Sequence, residues 1–231
     1  MSIYNSSSKV DNQHIYDAYN GLLFSSDRNV LYKMLKRAEM FNAVKNLPGD
    51  IVECGVFKGA GMALWLKLME LDAPHSIRKA IGFDFFGDSF VQDLPAHDKE
   101  MMTQVFSRCE TSSDNTGVQA IATLLQEGCN IKPDKFELVQ GDLSITSRTY
   151  AEARPGFRIA LLYLDVDLEE PTYAALVNLW DRVLPGGRVV FDEYGYHVWS
   201  ESNAVDRFVA AHNLKLIRTD VKSPTAYIIK P

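Results

Sequence analysis

Two short acidic runs are the most chemically loaded part of the sequence. Asp165-Val166-Asp167-Leu168-Glu169-Glu170 places four carboxyl groups in six residues directly after an apolar run, and Asp192-Glu193-Tyr194 follows another. If the two apolar runs are neighbouring strands, Asp165 and Asp192 come close in space. Carboxylates that near to one another repel, so a cation or a proton has to be shared among them. Oxygen donors without His or Cys beside them favour Mg2+, Mn2+ or Ca2+ over zinc. The plainer alternative is a set of solvated acids at a helix N-terminus, where the helix dipole favours them. That accounts for Glu169 and Glu170 and accounts poorly for Asp165.

A second constellation lies earlier. Glu53-Cys54-Gly55-Val56-Phe57-Lys58-Gly59 has the form E-x-G-x-x-x-G. Glycines let a backbone approach a ligand closely and turn into a helix. A dinucleotide site prefers G-x-G-x-x-G, which sets pyrophosphate on the helix N-terminus. That spacing is absent. S-adenosylmethionine (SAM) carries no phosphate, and the looser turn suits it. Glu53, Gly55, Val56, Phe57 and Gly59 are therefore the expected cofactor residues of this turn, against the alternative of a purely structural bend.

Other polar residues also follow apolar runs. Asp84 closes Gly82-Phe83-Asp84 and is placed to accept hydrogen bonds from ribose hydroxyls; otherwise it is a cap or a loop acid. Asp142, in Gln140-Gly141-Asp142, is placed to meet the adenine amino group, or else caps the helix that starts near Ile145. Asp165 is expected at the cofactor as well as at the cation. His197, in Tyr194-Gly195-Tyr196-His197, is a candidate base or substrate contact, or a loop histidine with neither role.

The elements that must position these groups are readable from periodicity. Leu31, Met34, Leu35, Ala38, Phe41 and Val44 recur at helical spacing over 30–46, and Pro48-Gly49-Asp50 stops that helix. Ile51–Cys54 reads as a buried strand, with a helix over Met62–Leu71 after the Gly turn; Ala80–Phe86 reads as the next strand. Residues 87–134 break the rhythm and read as an insertion over the carboxyl edge, with helices near Lys99–Arg108 and Gly117–Gln126. Phe136–Gln140, Ile159–Leu164 and Arg188–Phe191 are further strands. Pro171–Val183, ended by Pro185-Gly186-Gly187, and Glu201–His212 are helices. Leu214–Thr219 and Ala226–Ile229 read as a terminal pair of short strands. The alternation predicts one α/β domain over residues 1–231: a doubly wound, mostly parallel, seven-stranded sheet that binds ligands at its carboxyl edge. Residues 1–28 mix Ser and Asn with Tyr4, Tyr16, Tyr19 and Phe24, and read either as a frayed terminus or as part of a lid that extends to residue 47.

Composition narrows the classes. The chain has 231 residues, 46% hydrophobic, and a formal net charge of -6. That offers no global basic field for a nucleic acid. No apolar run approaches a membrane span of ~20 residues. The polar opening residues lack a signal-peptide pattern, and three scattered cysteines suit a reducing compartment, so a cytoplasmic protein is expected.

With these pieces together, the chain resembles the macrocin O-methyltransferase family, which methylates sugar hydroxyls of macrolide and aminocoumarin antibiotics. The resemblance rests on Pro48-Gly49-Asp50-Ile51-Val52-Glu53-Cys54-Gly55-Val56-Phe57-Lys58-Gly59, on Gly82-Phe83-Asp84, on Asp165-x-Asp167, and on Pro185-Gly186-Gly187 leading to Asp192-Glu193-Tyr194. It covers roughly residues 30–210 and implies a class I SAM-dependent O-methyltransferase. It further implies Asp165, Asp192 and Glu193 as ligands of Mg2+ (or Mn2+), Asp167 as general base, a hydroxyl-bearing sugar or glycosylated metabolite as acceptor, and a homo-oligomer. Glu193 departs from the family, where a second Asp is common at that place; the longer Glu shifts a bound ion. Two other readings stay open: a metal-independent methyltransferase of phenols or catechols, and an NAD-type or non-catalytic binding protein on a similar sheet.

Overall fold

The computed structural model describes residues 13–231. Helices α1 (Gln13–Phe24) and α2 (Asn29–Val44) precede β1 (Asp50–Cys54), α3 (Ala60–Asp72) and β2 (Ala80–Asp84). The insertion follows as α4 (Ala96–Arg108), a four-residue turn α5 (Ser113–Thr116) and α6 (Val118–Thr123). Then come β3 (Phe136–Gln140), α7 (Leu143–Ala153), β4 (Ile159–Leu164), α8 (Glu169–Leu179), β5 (Val183–Phe191), α9 (Glu201–His212), β6 (Ile217–Arg218) and β7 (Ala226–Ile229).

The seven strands lie in the order β3-β2-β1-β4-β5-β7-β6. The first five are parallel, and β7 pairs antiparallel with β5 and β6. Strand order reverses between β1 and β4, the expected ligand crevice. The central strands are apolar on both faces because both are covered. Ile51, Leu161 and Tyr163 pack with α2 and α3; Val52, Leu162 and Leu164, one residue out of phase, pack with α7, α8 and α9. The period of two thus sorts each strand into two cores.

Several boundaries depart from expectation. Strand β2 stops at Asp84, because Asp84 Oδ1 accepts the Phe86 N–H at 2.7 Å and Phe86 turns with φ 55°. Pro185-Gly186-Gly187 does not end a helix. It belongs to β5, where Gly186 N–H reaches the Lys230 carbonyl and Lys230 N–H reaches that of Gly187, each at 2.8 Å. Helix α8 already stops at Leu179, and its first turn holds Glu169 and Glu170, as read from the sequence. The predicted Gly117–Gln126 helix is α6 continued by one wider turn over Leu124–Gly128.

The terminal segment splits. Tyr4 lies outside the described residues. Helix α1 has no buried residue and leaves Ile15, Leu23 and Phe24 exposed. Helix α2 buries Met40, Phe41 and Val44 against the sheet and sends its N-terminal half over the crevice. The insertion is anchored there too, through Val91 and Met102 against Leu168.

The closest approach in the crevice is at Gly55, whose φ is +91°. A Cβ there would lie 1.8 Å from the Asp165 carbonyl oxygen, which belongs to backbone and cannot swing away. Asp165 N–H is in turn hydrogen-bonded to Cys54 O at 2.8 Å. Gly55→Ala should therefore cost at least about 3 kcal/mol, from left-handed strain plus the clash. Thermal unfolding of that variant checks this; an unchanged midpoint would refute it.

Candidate active site

A cavity of about 1010 Å³ opens at the switch point. Glu53, Gly55, Val56, Phe57, Asp84, Asp142, Asp165 and Asp167 all line it, so the polar residues after four strands meet in one place. Gly59 does not. It caps α3 with φ 83° and backs onto Ile121.

Asp84 and Asp142 both hold local backbone as well as lining the cavity. Asp84 Oδ2 accepts the N–H groups of Val56 and Phe57 at 2.7 and 2.9 Å, so the β2 acid shapes the Gly turn from below. Asp142 Oδ1 caps α7, accepting Ser144 N–H at 2.8 Å. A carboxylate has about four lone-pair directions. Asp142 therefore keeps most of its acceptor capacity, and Asp84, which also accepts Phe86 N–H, keeps about one direction. Glu53 is buried, and its Oε2 has no partner while Oε1 accepts from Arg37 at 2.6 Å. A cradle that a Cβ would fill and an orphaned acceptor at its base fit the ammonium group at the amino-acid end of SAM.

The ends of β4 and β5 hold the other acids. Asp165, Asp167 and Glu193 can each offer an oxygen, all within 4.8 Å of one another. This is the only such group of possible metal ligands among the described residues. Glu193 Oε2 is buried without a partner. Three hard oxygens with one unsatisfied fit a divalent cation such as Mg2+ or Mn2+. Asp192, expected in the set, stands differently. It is fully buried; Oδ1 accepts the Tyr163 hydroxyl, and Oδ2 accepts Ser223 Oγ at 2.6 Å and Lys33 Nζ at 2.8 Å.

Electrostatics follow the packing. Burial, then Asp165 and Asp192, push the Asp167 carboxyl up to about 8. Burial, then Asp192, push Glu193 up to about 9. Asp192 goes the other way: burial opposes its ionisation, and Lys33 and Arg37 outweigh burial. Glu201, read only as part of a helix, is fully buried behind the cluster; its Oε1 accepts Glu193 N–H at 3.3 Å. Burial and four acid neighbours raise it well above the carboxylate range.

The cations were missed at the sequence level. Lys33 Nζ also lies 2.9 Å from Asp165 Oδ2. Arg37 reaches the same oxygen at 3.0 Å while pairing Glu53, and its guanidinium lies 4.2 Å from the Tyr163 ring centre. A signal existed: Arg37 falls on the apolar stripe of α2, four residues before Phe41. A cation on a buried face needs an acid partner.

His197 is not brought to this cluster. It lines a separate depression with Tyr194, Tyr196 and Arg218. All three cysteines are free thiols, and no helix among the described residues is long and apolar enough to cross a membrane.

Comparison with known proteins bears on the family and the fold. The family model described as macrocin-O-methyltransferase (TylF) matches residues 29–228. A Streptomyces olivaceus protein, 8-demethyl-8-(2,3-dimethoxy-alpha-L-rhamnosyl)-tetracenomycin-C 4'-O-methyltransferase, is 30% identical over 152 residues. That match spans 64% of this chain and 54% of the relative, about half its length. The apo structure of CalS11, a TDP-rhamnose 3'-O-methyltransferase, is 24% identical over 99% of this chain and 88% of that one, with a TM-score of 0.67. The O-methyltransferase NovP is 24% identical over 85% and 78%, with a TM-score of 0.69. Both structures share the fold.

The raised carboxyls make stability depend on pH. Asp167, Glu193 and Glu53 have ordinary values of 3.8, 4.5 and 4.5 and folded values of about 8, 9 and 7. Between those limits the folded chain binds more protons than the unfolded one, so stability falls as pH rises. Thermal unfolding without divalent cation should show a midpoint that drops from about pH 5 to about pH 9, with Mn2+ restoring most at the alkaline end. A midpoint that rises over that range would contradict this.

Proposed function

The chain belongs to the macrocin O-methyltransferase family, and we propose that it transfers the methyl group of SAM to a hydroxyl of a sugar or sugar-bearing small molecule, assisted by Mg2+ or Mn2+. The observation that carries this reading is one cavity holding both the Gly55 turn and the Asp165–Asp167 acids. A donor bound along the turn and a hydroxyl held at the acids would share that cavity.

SAM supplies an electrophilic methyl group, and a divalent cation among the acids supplies a positive charge that lowers the pKa of a nearby hydroxyl. The chain supplies the rest. Glu53, Asp84 and Asp142 are placed to hold the donor's amine, ribose and adenine. Asp167 lines the cavity and takes the hydroxyl proton. Burial and its acid neighbours raise its carboxyl to about 8 without a cation; a cation among the acids would lower it, leaving Asp167 ionised and able to accept a proton near neutral pH. A carboxylate has two oxygens, so binding a cation through one leaves the other for the proton. Phe57, Phe90, Phe106 and Met102 form an apolar wall that limits water. His197 has no part in this reading.

Sugar acceptors are supported by the rhamnosyl 4'-O-methyltransferase relative, and the pocket narrows the class. The cations of its lining are Lys33, Arg37 and Lys58. The first two are paired with acids, and Lys58 Nζ donates to the Cys109 carbonyl. Lys58 is thus the one lining cation without an acid partner among the described residues, a single charge for a diphosphate to meet. The aromatic wall suits an apolar carrier. These features favour a neutral glycoside over a nucleotide-linked sugar.

Asp167→Asn is the direct test. Turnover on an accepted glycoside should fall at least about 100-fold, with S-adenosylhomocysteine affinity kept within about threefold. Persistent turnover would remove Asp167 as the base.

A further inference from the structure

Lys33 stands where the sequence placed a metal ion. Its ammonium spans Asp165 Oδ2 at 2.9 Å and Asp192 Oδ2 at 2.8 Å. Those are the two carboxylates that would otherwise clasp a divalent cation. The position is built in. Arg37, one turn later on α2, reaches Asp165 Oδ2 at 3.0 Å and is itself fixed by Glu53 at 2.6 Å. Gly61 makes room for that pair; a Cβ there would lie 1.9 Å from Arg37 Nη1 and 2.0 Å from Glu53 Oε1. The register of α2 thus carries Lys33 to the acids.

Asp192 has little left to give a metal. It accepts Lys33, Ser223 and Tyr163 in a site without exposure. Binding an ion there would set two cations against one another or break a buried pair. The neighbouring place has neither obstacle. Asp165 keeps Oδ1, since both cations sit on Oδ2. Asp165, Asp167 and Glu193 bring oxygens within 4.8 Å of one another with Lys33 in place, and Glu193 Oε2 has no partner. The extra methylene of Glu193 suits an ion set away from Asp192.

We infer that Lys33 is the resident cation of the Asp165–Asp192 pair and directs the divalent ion to Asp165, Asp167 and Glu193, leaving Asp192 outside its coordination. The inference rests on the metal-assisted reading above. It assigns Asp192 a positioning role, as the acid that holds Lys33, and makes α2 a part of the metal site.

Mn2+ binding followed by electron paramagnetic resonance tests it on the whole chain, beside Asp192→Asn and Glu193→Gln. The unaltered protein should take one ion; Glu193→Gln should weaken it at least about tenfold, and Asp192→Asn by no more than about threefold. Amine labelling of Lys33 in the unaltered protein supplies a second readout that needs no variant to fold. Its rate should not change on saturation with Mn2+. Loss of the ion in Asp192→Asn, or a Lys33 freed for labelling by Mn2+, would overturn the inference and leave the metal-assisted reading standing. No Mn2+ binding by the unaltered protein would remove both.

Discussion

Buried negative charge at the ends of β4 and β5 is the constraint around which the crevice is organised. Asp192 and Glu201 are fully buried there, and Asp165, Asp167 and Glu193 are half-buried beside them. Such a group survives only if protons or cations balance it. The chain provides part of the balance itself, through Lys33 and Arg37, four residues apart and therefore on one face of α2. Protons held on Asp167, Glu193 and Glu201 provide the rest. The negative charge that remains favours a cation and a sulfonium donor in the cavity.

The same contacts join the donor turn to the acids. Gly55 packs against the Asp165 carbonyl, and Arg37 bridges Glu53 and Asp165. Asp84 ties the turn amides to β2. Methyl transfer demands a near-linear arrangement of leaving sulfur, carbon and attacking oxygen, and rate gains of this kind come from positioning. A turn and an acid pair locked through backbone contacts provide that positioning without waiting for substrate.

Much of this was legible in the sequence. Apolar runs ending in Cys54, Asp84, Gln140, Leu164 and Phe191 marked the strands, because parallel central strands must be apolar on both faces. The Gly turn and the acids after the strands followed from that. What escaped depended on distance in sequence. Pro185-Gly186-Gly187 looked like a helix stop until Lys230, far along the chain, drew it into β5. The partners of Asp192, Ser223 and Lys33, likewise lie far from it in sequence. Of the segment read as a lid or a frayed terminus, α2 lines the cavity and α1 does not. Arg37 was legible in principle, as a charge on a buried stripe, and so by one turn was Lys33.

The most direct test is transfer of isotopically labelled methyl from SAM to a set of neutral rhamnosides, with chelator and then with added Mg2+. The account predicts label on a sugar oxygen, loss of transfer in chelator, and recovery with Mg2+. Transfer at an undiminished rate in chelator would contradict it.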